Sequence, residues 1–139
     1  MWIVTVLGAA YFFVRGMTTR SSDGRQAIAL SPPERDMVLA EMRGNLAAVQ
    51  GVLAGLLAKD MQQVSSAARA SGMAAAADVT PSLLAKLPLA FKDLGFSVHR
   101  GFDELADAAQ KGATPDQVLS RLNTQLQSCM ACHAAYRLP

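Results

Sequence analysis

The chain has 139 residues, 51% of them hydrophobic and 17% charged, with a formal charge of +2. This length fits one domain, and so much apolar surface excludes a disordered chain. A charge of +2 excludes a strongly basic nucleic-acid binder, 6% aromatics beside abundant Ala and Leu argue against an all-β fold, and two cysteines cannot staple a disulfide scaffold.

Residues 1–14 carry no charged side chain and include Trp2, Ile3, Leu7, Tyr11, Phe12 and Phe13. As a helix they would span about 21 Å, short of the roughly 30 Å hydrocarbon core of a bilayer. Continuing to Thr19, with Arg15 snorkelling to the headgroups, gives about 28 Å. Residues 1–19 are therefore expected to be a hydrophobic anchor or signal segment, with a buried or interfacial helix as the third reading. A cleaved signal would have a basic start and small residues after the apolar run. Here the basic start is missing, and Gly8, Ala9 and Ala10 interrupt the run. An uncleaved anchor fits better. Arg15, Arg20 and Arg25 against Asp23 supply the whole net charge. The positive-inside tendency would keep that end cytoplasmic, whereas the motif described below requires the opposite side.

Residues 20–30 are polar and aperiodic and are expected to be a linker. Residues 31–139 then read as four helices. Ser31-Pro32-Pro33-Glu34 is a capping box with Pro at the first helical position. Behind it Leu39, Met42, Leu46, Val49, Leu53 and Leu56 recur at steps of 3, 4, 3, 4 and 3, the period of a bundle seam. A short helix follows from about Asp60 to Ser71, with Met61, Val64 and Ala68 inward. Thr80-Pro81 starts another segment that Pro88 interrupts. The third main helix runs from about Leu89 to Lys111 on a stripe of Phe91, Leu94, Val98, Phe102 and Leu105, and Gly112 stops it. Thr114-Pro115-Asp116-Gln117 is a second capping box. It opens a helix on which Leu119, Leu122, Leu126, Cys129 and His133 repeat at steps of 3, 4, 3 and 4. The fold class expected is all-α: an antiparallel four-helix bundle preceded by an N-terminal hydrophobic helix. Asp103, Glu104 and Asp107 form an acidic cluster, read as a solvated face or a docking patch.

Cys129-Met130-Ala131-Cys132-His133 is C-x-x-C-H, the attachment signature of haem c. On a helix, Cys129 and Cys132 are three residues apart and face one way, so each thiol can form a thioether to one vinyl group of a single porphyrin. His133, four residues from Cys129, can rise beneath the iron as axial ligand. A zinc half-site needs four ligands, but His99 is the only other His and no further Cys exists. A redox dithiol expects a βαβ context, which the pattern lacks.

A C-x-x-C-H on the last helix of a bundle resembles the class II c-type cytochromes, the cytochrome c-prime family and its low-spin relatives. Tyr136 and Arg137 extend the match to C-x-x-C-H-x-x-[FY]-R, and the resemblance covers roughly Ser31 to Pro139. It implies a periplasmic four-helix bundle with one covalent haem c held by Cys129 and Cys132, His133 as iron ligand, and Arg137 near a haem propionate. It also implies that the opposite haem face meets the first bundle helix. There low-spin members place a Met, four residues after an Arg. Met42 stands on that seam as the candidate second iron ligand, but the residue four before it is Val38. Met42 can instead fill core volume, as buried Met commonly does. His99, beside the third helix's stripe, is expected at the surface, with iron ligation as its other reading.

The function expected is one-electron transfer by a periplasmic cytochrome, not an enzyme, held at the inner membrane by residues 1–19. Its partners would be redox proteins. The alternatives are a five-coordinate haem protein binding small gases such as NO or CO, and a haem subunit of a larger membrane complex. Pairing into homodimers is a further implication of the resemblance.

Overall fold

The computed structural model describes residues 2–139, so Met1 of the expected anchor lies outside the described residues. The chain is mostly helical (75%), with six α-helices and one small sheet among the described residues. Helix α1 is Trp2–Arg15, and a hairpin of β1 (Thr18–Arg20) and β2 (Gln26–Ile28) follows. Helices α2 (Pro32–Ala58) and α3 (Met61–Arg69) come next. A 3₁₀ turn (Met73–Ala76) and α4 (Pro81–Lys86) lead to α5 (Leu89–Gln110), α6 (Pro115–Ala135) and β3 (Tyr136–Arg137).

The expected helix boundaries have the expected local causes. The Glu34 carboxylate accepts from the Ser31 N–H (2.8 Å) and closes the first capping box. It also pairs with Lys86 Nζ at 2.7 Å, which ties the start of α2 to the end of α4. That ammonium, with Ser31, holds the Glu34 carboxyl down at about 2. Asp60 caps α3 through the Gln63 N–H (2.9 Å). Thr114 and Gln117 cap α6 reciprocally.

The long helices pack antiparallel in chain order. α2 turns onto α3 at Lys59, which ends the helix with φ +57. Gly55 lets α3 come close: a Cβ there would lie 2.8 Å from the Val64 side chain. α3 lies along α5, where Ser65 Oγ donates to the Ala106 carbonyl (3.1 Å) and Arg69 pairs with Asp103 (2.6 Å) and with Asp107. α5 lies along α6 beyond the Gly112 turn. Two of the three residues of the expected acidic patch, Asp103 and Asp107, are thus partnered by Arg69, and only Glu104 stays fully exposed. One apolar cluster joins Val52, Val64, Phe102, Leu105, Val118 and Leu122, and a second joins Ile28, Leu83, Leu87, Phe91 and Tyr136.

Three expectations change. The 20–30 segment is not a linker: β1 pairs antiparallel with β2, and β2 pairs parallel with β3 at the other end of the chain. Three-residue strands carry no periodic signal, and this partner lies more than 100 residues away. The N-terminal helix does not continue to Thr19. It stops at Arg15 because Gly16 takes φ +63 against the Lys86–Pro88 backbone. No helix among the described residues is long and apolar enough to cross a membrane.

The third change concerns helix faces. The buried residues of α2 are Val38, Ala48, Val52 and Gly55, one position before the leucine seam. Leu46 and Leu53 of that seam are exposed. In α6 the buried residues are Val118, Leu122 and Gln125, while Leu119 and Leu126 are exposed. Small residues on α2 permit the closest approach to α3, so that face is packed and the leucine seam is turned aside.

Gly16→Ala should lower stability by about 2 kcal/mol or more, since the backbone is left-handed and the new Cβ would meet the Lys86 carbonyl and Pro88 nitrogen at 2.5 Å. Gly8→Ala, with nothing within 4 Å, should change it by less than about 1 kcal/mol. Denaturant midpoints of the two variants check the contrast.

Candidate functional site

The displaced seams of α2 and α6 face a common cavity of about 450 Å³, within the range of about 300–1,000 Å³ typical of ligand and cofactor clefts. From α2 come Leu39, Met42, Leu46 and Val49; from α6 come Leu126, Cys129, Cys132 and His133. Leu83 and Leu84 of α4, with Leu87 just after it, close one end, and α5 contributes Phe91, Leu94, Val98 and Phe102. The lining is predominantly apolar, which favours an apolar ligand.

The structure therefore brings four of the five expected site residues to one cavity: Cys129, Cys132 and His133 on one wall, and Met42 on another. Both cysteines are free and half-buried. Cys129 packs against the first apolar cluster and Cys132 against the second, so the thiols straddle the two halves of the core. Burial pushes both thiols up, Cys132 to about 11. Among the described residues, no three His, Cys, Asp or Glu side chains gather as a metal chelate would require.

His133 is exposed at the cavity edge. Its place is set by the far hairpin: Arg25 Nη1 donates to the His133 carbonyl (3.3 Å) and the Tyr136 carbonyl (3.5 Å). Tyr136 is buried and meets Phe91 edge-on, with ring centroids 5.3 Å apart. The last turn of α6 is thus held from both sides.

Arg137 does not line the cavity. Its guanidinium donates to Ser21 Oγ (3.0 Å) and approaches Asp23 at 3.6 Å, bracing the hairpin against β3. The positive groups that do line the cavity are Arg43 and Lys92. Lys92 is 8% exposed and donates to the Phe13 and Leu84 carbonyls, both at 3.4 Å. Sequence reasoning missed both, because a cation beside an apolar stripe looks like an ordinary surface residue.

His99 is not at the surface: it is 2% exposed and borders the cavity. Its Nδ1 lies 2.8 Å from the Ser71 carbonyl, which can only accept, so Nδ1 carries a proton. Its Nε2 lies 2.6 Å from Glu41 Oε1. The Glu41 carboxylate, aided by the Ser71 carbonyl and opposed by burial, raises the His99 pKa above 6.5. With both ring nitrogens engaged, His99 has no lone pair free for a metal in this arrangement. The only sequence signal for the pair was that Glu41 sits one residue from the leucine seam.

No protein-family model matches this chain, and no curated protein or solved structure matches it either.

A histidine whose folded pKa is raised contributes stability that is complete below its unfolded value of about 6.5 and is lost as pH rises through the folded value. The melting temperature should therefore fall as pH rises above 6.5. Glu41→Gln should flatten this dependence, and melting curves of both proteins across neutral pH check it.

Proposed function

We propose that this chain is a c-type cytochrome of the class II kind, an antiparallel four-helix bundle that carries one electron on a covalently attached haem. The observation that carries the reading is the coincidence of C-x-x-C-H with the wall of a large apolar cavity. A motif arising by chance has no reason to face a cleft of cofactor size. In this reading Cys129 and Cys132 hold the haem by thioethers, and His133 is the axial ligand. The haem iron supplies the ferric/ferrous couple. Residues of α2, α4 and α5 would pack against the haem, and their low polarity would tune its potential. Arg43 and Lys92, rather than Arg137, are the cations that line the cavity. Attachment on the periplasmic side follows from the resemblance.

Met42 is the residue of α2 suited to the sixth position. His99 would first have to free one ring nitrogen, giving up its hydrogen bond to Glu41 or to the Ser71 carbonyl, a loss of about 1–3 kcal/mol when left unmade. A second reading, an open distal face that binds CO or NO, is favoured by a specific observation. Met42 already packs against the second apolar cluster, and Val38 stands where the low-spin pattern has Arg.

Expression beside a haem-attachment system should yield a chain heavier by one haem, and Cys129→Ser with Cys132→Ser should yield the bare polypeptide. A bare wild-type chain rules out the reading. The reduced spectrum then divides the two forms. Sharp low-spin bands indifferent to CO, converted to high spin in Met42→Ala, indicate Met ligation. Bands that shift with CO in the wild type indicate the open site.

A further inference from the structure

Helix α1 meets the body of the protein at its C-terminal end. There Lys92 Nζ donates to the Phe13 carbonyl and lies 3.9 Å from the centre of its ring, and Gly16 wedges against Lys86–Pro88. Beyond this foot the apolar side chains point outward on every side, with Trp2 85% and Leu7 63% exposed. A helix that is apolar all round belongs in an apolar phase. A protein surface would cover one side of it and leave the others in water.

At the foot, Arg15, Thr18, Thr19, Arg20, Gly24 and Gln26 line an open cleft of about 440 Å³. Among the described residues neither Arg15 nor Arg20 has an acidic partner. Arg15 rests on the Tyr11 ring and donates to its hydroxyl. The neighbouring Arg25 and Arg137 are both paired with Asp23. Two uncompensated guanidinium groups, with two threonine hydroxyls beside them, therefore stand at the level where the apolar helix ends.

We propose that α1 inserts into an anionic lipid bilayer as far as Arg15, and that this cleft receives the phosphate of one lipid headgroup. A helix of 14 residues is about 21 Å long and enters the roughly 30 Å hydrocarbon core without crossing it. Arg15 and Arg20 then lie in the headgroup layer, where guanidinium groups suit phosphate oxygens. The proposal stands independently of the haem reading.

Trp2 is the single tryptophan and sits at the far end of α1, so its emission reports insertion. The full chain is mixed with vesicles of phosphatidylcholine, with and without phosphatidylglycerol. Expected are a blue shift of Trp2, quenching by lipids brominated deep in the acyl chains, and tighter binding to the anionic vesicles. Arg15→Gln with Arg20→Gln should weaken anionic binding about thirtyfold and leave neutral-vesicle binding unchanged. High salt should shrink the difference. The proposal is overturned if Trp2 stays in water, or if the double variant binds anionic vesicles like the wild type. A lipid-free Trp2 shift with a dimer on sizing would assign α1 to a second copy. Calorimetric binding of inorganic phosphate without insertion would assign the cleft to free anions; either result also overturns it.

Discussion

Two apolar stripes face each other across a gap that they do not close. The leucine seam of α2 and the Leu126–Cys129–His133 seam of α6 have the period of a tight helix pair. Yet α2 buries the face one residue to the side, against α3, and α6 buries Val118, Leu122 and Gln125 against α5 while Leu119 and Leu126 stay exposed. Close packing at small residues outweighs leucine burial there, because dispersion contacts fall off steeply with separation. What remains is a cavity walled by some of the most apolar parts of the chain.

The wall that bears the two thiols is held by contacts distant in sequence. β3 continues directly from α6 and pairs with β2, while Arg25 reaches the carbonyls at the helix end. Helix ends otherwise fray, since their last carbonyls lack partners. The hairpin thereby gives His133 a defined place although its side chain is exposed. Arg137 takes part in the same brace, which is why it is unavailable to the cavity.

On the opposite side, His99 joins α5 to Glu41 of α2 and to the Ser71 carbonyl after α3. Three elements meet at one buried imidazole next to the cavity.

Local chemistry was legible in the residues alone. Caps at Ser31, Asp60 and Thr114, the break at Pro88 and the stop at Gly112 act through neighbours a few positions away, so the helix order and boundaries could be read directly. The C-x-x-C-H spacing was legible for the same reason, since three and four residues along a helix fix which side chains share a face. What only the tertiary structure decided depends on partners far along the chain. These are the pairing of β2 with β3, the termination of α1 at Gly16 against Lys86–Pro88, the burial of His99 by Glu41, and the diversion of Arg137 to Ser21 and Asp23. Periodicity tells that a helix has an apolar face. It does not tell which neighbour that face will meet, because that choice is made by packing between helices whose separation depends on small residues such as Gly55.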